Sequence, residues 1–346
     1  LQWKRTGDNV LATIKDIAQA TGFSVTTVSR ALNGYDDVSE HTRLIIRKTA
    51  EQLNYIPNIL ARTLVTKKSK TIGLLVSDLK RESSKDNFVF SVLCGVSEYV
   101  AKKDYEMILL STSTSRQKNK NFLQIIQERN LDGVVIQGLK TDDPYLKEAV
   151  ESSIPTVLID IPVENKTTGY VTCNQADGIR TAVKYLVRLG HRKIAFMNGH
   201  KQAYVCKIRL DAYRSTLKTL NIGYDQSLVC DGDFNEDIAY HAALNFLIYH
   251  TDVTAMICAS DIMALGVLRA ARELEIHIPE NLSLIGFDNI LLTQYVTPSL
   301  TTIAQDPYAL GISATTLLLN MLSGNTEEKH VVLPSELIIR DSTGKA

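Results

Sequence analysis

Two sets of side chains carry chemistry that a folded protein could use. The first is a run of short hydroxyls and one long cation: Ser24, Thr26, Thr27, Ser29 and Arg30. Short polar side chains can reach base edges in a DNA groove, and a guanidinium can donate two parallel N–H bonds to guanine O6 and N7. The second set is scattered. Asp78, Asp160, the pair Ser260-Asp261 and Asp288 each close an apolar run; Arg209 opens a helical stretch; Phe234 lies in Asp-Gly-Asp-Phe; Gln305 follows Thr-Thr-Ile. Carboxylates accept sugar hydroxyls, a fixed Arg donates, and an aromatic ring stacks, so this set suits a hydroxyl-rich ligand. Each member also has a plainer reading. Asp261 can be a helix N-cap, Asp78 can cap a loop and Phe234 can be core. His191, after Gly190, reads as a capping or packing residue. Asp160 and Asp288 can also be the carboxylate pair of a hydrolase, but no nucleophile motif, phosphate loop or Gly-rich cofactor fingerprint accompanies them. No cofactor and no metal is expected.

The elements that must position the first set are three short helices. Thr13, with Asp16 three residues on, reads as a capping box that starts a helix at Ile14. Ile14, Ile17 and Ala18 fall on one face, and Gly22 ends the helix. Ser24 caps a second helix, whose apolar face is Val28, Ala31 and Leu32, and Asn33-Gly34 ends it. Ser39 caps a third, from 40 to about 53, with Leu44, Ile45, Ala50 and Leu53 inward. Two short helices joined by a glycine turn and closed by a third make a helix-turn-helix unit, and its second helix enters the major groove. The plain alternative is a small bundle with a solvated polar face. Pro57 then opens a stretch, 58–64, too short to hold a helix alone, and a polar, basic linker follows.

The second set needs a larger scaffold. From Thr71 short apolar runs alternate with amphipathic stretches. Strands are expected at 72–76, 107–110, 133–136, 157–159, 194–197, 228–230, 255–258 and 284–287. Helices are expected at 88–102, 176–189, 209–220, 239–249, 263–274 and 308–321. This alternation implies doubly wound parallel sheets, and two fit the length. Ligands in such folds lie beyond the carboxyl ends of the strands. The fold class is therefore α/β, an all-α helix-turn-helix head followed by two doubly wound parallel-sheet subdomains.

Composition agrees with a basic head on an acidic body. The 346 residues carry 38 Lys and Arg against 38 Asp and Glu, a balance that alone argues against a nucleic-acid binder. Residues 1–70 hold 11 basic and 6 acidic side chains, so the head is +5 and the remainder −5. That asymmetry is expected when one end meets phosphate. Cys94, Cys173, Cys206, Cys230 and Cys258 are widely spaced, without a C-x-x-C pair, and read as buried thiols in a reducing cytosol. The stretch 1–11 lacks an apolar h-region and is expected to be disordered. No apolar run is long enough to span a membrane.

Residues 12–33, from Ala-Thr-Ile-Lys-Asp-Ile-Ala to Gly-Phe-Ser-Val-Thr-Thr-Val-Ser-Arg-Ala-Leu-Asn, resemble the head of the lactose-repressor/galactose-repressor (LacI/GalR) family. Asn54-Tyr-Ile-Pro-Asn-Ile-Leu-Ala-Arg-Thr-Leu64 resembles its hinge. Asn174 with Gly178, Leu189-Gly-His-Arg-Lys-Ile-Ala195, Ala259-Ser-Asp-Ile-Met-Ala-Leu-Gly266, and Ile285-Gly-Phe-Asp-Asn289 followed by Pro298-Ser-Leu-Thr-Thr-Ile303 are similar to its sensor. The resemblance runs from Ala12 to about Ser342. It implies a helix-turn-helix domain at 12–56, a hinge at 57–69, and an effector-binding and dimerisation domain at 70–346 with a periplasmic-binding-protein-like fold. One subdomain would hold about 71–173 and 305–332, the other 174–303 and 333–342.

The resemblance also implies roles. DNA contacts fall at Thr13, Ser24, Val25, Thr26, Thr27, Ser29, Arg30, Asn33, Tyr55, Asn58 and Ala61, with Leu64 as a minor-groove wedge. Effector contacts fall at Asp78, Phe88, Asp160, Arg209, Phe234, Ser260, Asp288 and Gln305. The expected partners are a pseudo-palindromic double-stranded DNA operator, a second copy in a homodimer, and a small molecule, with a carbohydrate favoured. Repression under allosteric control is the favoured output, in the cytoplasm. Two departures affect the ligand: Ala212 stands where a Gly is usual, and the loop after Asp78 lacks the common Asn-Pro-Phe-Phe, leaving Phe88 and Phe90. The rivals are a solute receptor, opposed by the head, and a sugar-processing enzyme, opposed by the missing catalytic motifs.

Overall fold

The computed structural model describes residues 12–55, 68–79, 87–325 and 327–346. The chain divides into two units, Leu1–Ser69 and Lys70–Ala346. In the first, α1 (Ile14–Thr21), α2 (Val25–Leu32) and α3 (Glu40–Gln52) surround a small core. Ile17, Val28, Ala31 and Ile46 are fully buried there, with Val38 and Ala50 beside them. The inward face of α3 is not the expected one. Leu44 is 69% exposed and Ile46 is buried. Two residues of helix turn through about 200°, so a helix that buries Ile46 and Ala50 must expose Leu44. Leu53 lies beyond the helix and is exposed. Gly22 (φ 76°) and Gly34 (φ 78°) take the left-handed backbone that ends α1 and turns the chain after α2.

The second unit holds two six-stranded sheets. The elements of the first are β1 (Thr71–Ser77), α4 (Phe88–Lys102), β2 (Glu106–Thr112), α5 (Thr114–Gln117), α6 (Phe122–Glu128), β3 (Gly133–Gln137), α7 (Pro144–Glu151), β4 (Thr156–Ile159) and β5 (Thr168–Cys173). Those of the second are α8 (Gln175–Arg188), β6 (Ile194–Asn198), α9 (Tyr204–Thr219), β7 (Val229–Asp231), α10 (Glu236–Tyr249), β8 (Ala255–Cys258), α11 (Asp261–Glu273), β9 (Ser283–Asp288) and β10 (Thr301–Ala304). The chain then returns with α12 (Pro307–Leu322), β11 (His330–Leu333) and β12 (Glu336–Ile338). Strand order is β11-β5-β4-β3-β1-β2 in the first sheet and β12-β10-β9-β8-β6-β7 in the second. All described pairings are parallel except β10 with β12. Central strands such as β3 and β8 are buried along their whole length, as sheets covered on both faces require.

α12 packs on the first sheet although it follows the second in sequence. Leu310, Ala314, Leu317 and Leu318 share a core with Val92, Val96, Val135 and Val157. Its contact with α4 is backbone-close. A Cβ on Gly95 would lie 2.2 Å from the Tyr308 carbonyl, and one on Gly311 2.4 Å from the Val92 carbonyl. The chain thus passes between the sheets three times, near 174, 305 and 334. Two of the passages are tied together, by Asn174 N–H to the Leu333 carbonyl (2.8 Å) and by the Ser335 hydroxyl to the Asn174 carbonyl (2.9 Å). No helix among the described residues is long and apolar enough to cross a membrane.

Candidate DNA-reading face and ligand cleft

The head presents α2 on a stable footing. Thr13 donates to the Asp16 carboxylate from its N–H (2.7 Å) and its hydroxyl (2.8 Å), and these bonds hold that carboxyl below its ordinary value. Ser24 accepts the Thr27 N–H at 3.0 Å and so caps α2. Ser24, Val25, Thr26 and Arg30 are exposed, and Thr27, Ser29 and Asn33 are half-buried. The Thr27 hydroxyl is engaged by Ser24, and the Asn33 amide donates to the Ser29 carbonyl at 2.9 Å. Val25, Thr26, Ser29, Arg30 and Tyr35 line a shallow concavity of about 370 Å³. Tyr55 is half-buried against the head core. Asn58, Ala61 and Leu64 lie outside the described residues, as do 1–11 and most of the loop after Asp78.

In the second unit the polar residues gather at the carboxyl ends of strands of both sheets. From the first sheet come Asp78 after β1, Gln137 at the end of β3 and Asp160 after β4. From the second come Asn198 at the end of β6, Phe234 after β7, Ser260 after β8, Asp288 closing β9 and Gln305 after β10. Asp78, Asp160, Phe234 and Asp288 all have positive φ, the bend by which each strand end turns its chain. The two edges meet through the Thr141 N–H, which donates to the Gln202 carbonyl at 2.9 Å.

Arg209 is the pivot of this cleft. It lies within α9 rather than at its start, and is 3% exposed. Its Nε donates to Gln175 Oε1 at 2.8 Å, its NH1 to the Ala259 carbonyl, and its guanidinium covers the Phe287 ring at 3.6 Å. The Gln175 amide reaches on to Asp160 Oδ1 at 3.1 Å, where the Thr172 hydroxyl also donates at 2.7 Å. Burial raises the Asp160 carboxyl above its ordinary value, against these bonds and the Arg209 charge. Asp288 accepts from Gln305 at 2.6 Å. Phe234 rests on Gly199 and meets the His200 ring edge-on at 5.6 Å. Asp78 pairs with Lys140 at 3.0 Å, and Phe88 packs at the start of α4 against the first-sheet core.

Ser260, not Asp261, caps α11, accepting the Met263 N–H at 3.3 Å. Asp261 instead turns inward with no exposure, accepting from the Thr302 hydroxyl (2.6 Å) and the Ile290 N–H (2.9 Å). Burial, and then the charge of Asp288, push its carboxyl well up. His191 is buried between the Thr254 hydroxyl (2.9 Å) and the Gly344 carbonyl (3.0 Å), a packing role. Among the described residues no group of three or more His, Cys, Asp or Glu could hold a metal.

A sequence profile described as bacterial regulatory proteins, lacI family, matches residues 13–58, and one described as a periplasmic binding protein-like domain matches 183–343. The chain is 33% identical over 337 residues to the HTH-type transcriptional repressor PurR of Vibrio atlanticus (strain LGP32), covering 97% of this chain and 99% of that protein. The chain belongs to the LacI family of bacterial regulatory proteins. Two solved structures are similar over 96% of this chain and 99% of theirs. One is the Lac repressor dimer bound to operator and the anti-inducer ONPF (26% identity, TM-score 0.80); the other is the transcriptional regulator CelR–cellobiose complex (28%, TM-score 0.73). This protein is a DNA-binding transcriptional repressor of LacI type.

The repressor's cleft contains groups that sequence patterns did not single out. Gln175 bridges Asp160 and Arg209, yet it is a lone amide at a helix start with no motif to mark it. Gln137 Oε1, Asn198 Oδ1 and His200 Nδ1 are buried without a protein partner, as is the Oε1 of Gln305, which the sequence does mark. Leaving such atoms unsatisfied costs about 1–3 kcal/mol each, so they mark places where a ligand or water is welcome. The sequence signal for Gln137 and Asn198 was available: each is the polar residue that closes an otherwise apolar strand.

Proposed function

We propose that this repressor binds a pseudo-palindromic operator as a homodimer, and that a small polyhydroxylated molecule held between its two sheets controls that binding. The observation that carries the ligand reading is the facing pair of strand ends. Gln175 joins Asp160 to Arg209, Gln305 donates to Asp288, and Gln137 and Asn198 stand at the carboxyl ends of strands of the two sheets with amide oxygens that have no protein partner. Acceptors in that number suit a ligand rich in hydroxyl donors, and a relative 28% identical is described in complex with cellobiose. Asp78, Phe88, Phe234 and Ser260 complete the set. Phe234 would stack under a flat heterocycle as well as under a sugar ring, so planar bases are the second reading. Residues of α2, with Thr13, Tyr55, Asn58 and Ala61, contact the operator, and Leu64 wedges a central base step. The protein does no chemistry on its ligand and works in the cytoplasm, beside the chromosome.

A thermal-shift screen of sugars, sugar phosphates, nucleosides and purine bases tests this. A ligand bound only by the native state at 100 times its Kd adds about 2.7 kcal/mol. The hit should change operator affinity, and Asp288→Ala should abolish its effect while sparing ligand-free operator binding if the ligand is an inducer. If it is a corepressor, the variant should stay weak on operator with or without ligand. An undiminished response in Asp288→Ala and Asp160→Asn would place the site elsewhere.

A further inference from the structure

Arg30 does not hang free on the exposed face of α2. Its Nε donates to Asp37 Oδ1 at 3.1 Å, and its NH2 lies 2.5 Å from Asp37 Oδ2. The two side chains therefore meet fork to fork along one edge of the guanidinium. The Tyr35 ring lies 4.9 Å from the same guanidinium carbon. Asp37 and Tyr35 belong to the turn between α2 and α3, and that turn is itself anchored. Arg43 of α3 donates to the carbonyls of Tyr35 (3.0 Å) and Val38 (3.3 Å), and Val38 is buried in the head core. The Tyr35 N–H bonds back to the Arg30 carbonyl at 3.1 Å.

A planar guanidinium has two useful edges. The edge made by Nε and one NH2 hydrogen is taken by Asp37. The edge made by NH1 and the other NH2 hydrogen still offers two parallel donors, the pattern that reads guanine O6 and N7. Both edges can be satisfied at once. Both partners are well exposed, so the pair adds little to stability. Its consequence is orientation: pairing on one edge and the ring behind it bias Arg30 toward one rotamer before DNA arrives, which reduces the ordering cost of binding.

We propose that Asp37 and Tyr35 are positioning residues for operator recognition, holding the outer edge of Arg30 for a single base pair in each half-site. This rests on the reading of Arg30 as a base contact, and the test separates the two. Full-length wild-type protein selects its preferred sites from a randomised palindromic duplex library. Affinities for the best site and its single-base variants are then measured at fixed salt for wild type, Arg30→Ala, Asp37→Ala, Tyr35→Leu and the Arg30→Ala/Asp37→Ala double variant. Arg30→Ala should flatten the preference at one symmetric position. Asp37→Ala should cut discrimination at that same position by on the order of 10-fold, and Tyr35→Leu by less. Non-specific DNA affinity should hold or rise for Asp37→Ala, because a negative charge leaves the face. The head's thermal midpoint should not move, and Asp37→Ala should add nothing in the Arg30→Ala background. If Arg30→Ala flattens the position and Asp37→Ala does not, the positioning role is wrong and the base contact stands. If Asp37→Ala sharpens discrimination, the pair competes with DNA and the proposal is overturned. If Arg30→Ala leaves every position unchanged, both readings fall.

Discussion

His191 is a titratable group whose burial has a calculable sign. Burial holds its imidazole below the ordinary 6.5, outweighing the Gly344 carbonyl that favours the proton. As pH falls through 6.5 the unfolded chain takes up a proton that the folded one refuses, so this residue removes stability on acidification. His191→Gln should therefore flatten the loss between about pH 7 and 5.5 by up to ~1.4 kcal/mol per pH unit, whatever it does at pH 8. Denaturant midpoints across pH, wild type against variant, measure the difference; parallel curves would show that His191 titrates as if exposed. Burial lowers His200 in the same direction, and the comparison cancels it. Gln175 makes a second prediction. Gln175→Leu strips an acceptor from buried Arg209 and a donor from Asp160, so it should lower stability by about 1–3 kcal/mol. Gln175→Glu should keep Arg209 paired but set a second carboxylate against Asp160, raising that carboxyl further, so the stability lost as pH rises above the ordinary carboxylate range is larger and the loss extends to higher pH. Chemical denaturation from about pH 4 to pH 8 distinguishes the two variants.

At the scale of elements, α4 and α12 cross backbone to backbone at Gly95 and Gly311. Gly95→Ala pushes a methyl into the Tyr308 carbonyl, and the backbone cannot yield as a side chain would. The helices must part, at about 1–3 kcal/mol for overpacking. Calorimetry should show the second unit's transition falling while the head's stays; an unmoved transition would mean the crossing is loose. The same elements show what was legible beforehand. The strands that centre each sheet were readable because both of their faces are buried, so their sequences are nearly unbroken apolar runs. β5 was not: Thr168-Gly-Tyr-Val-Thr-Cys mixes polar and apolar residues because β11, partly exposed, is its outer neighbour. α9 begins at Tyr204, ahead of the expected 209, because its N-cap, Ala203, makes no side-chain cap bond and nothing in the sequence marks Tyr204 as a start. Ser260-Asp261 offered two capping residues in a row; the extended backbone at Ser260 (φ −156°, ψ 157°) takes the cap, and Asp261 turns inward into space left by Gly286. The cleft residues at strand ends were readable from position alone. The amide that joins two of them was not, since no pattern records a contact between Gln175 and a helix that begins 29 residues later.

For the whole molecule, the sequence joining the two units should decide how tightly operator is held. Leu64→Ala should lower specific affinity markedly, while ligand affinity and salt-driven non-specific binding stay near wild type. Operators with central C-G and A-A steps, compared at one salt concentration, provide the measurement. Equal affinity and an unchanged centre preference in the variant would reduce residue 64 to part of a tether. The threefold passage between the sheets has a different consequence, during synthesis. The second sheet is nearly continuous in sequence, lacking only β12, so it can close as its segment leaves the ribosome. The first sheet cannot. β1 begins at residue 71, but α12 begins at 307 and β11 at 330. At roughly 5–20 residues per second, about 13–50 s separate the emergence of the first strand from that of the last. From their own synthesis until α12 is complete, Val92, Val96, Val135 and Val157 lack the helix that will cover them. The earlier-made half of this repressor is therefore the later to fold, and it is the half that a nascent-chain chaperone would shield.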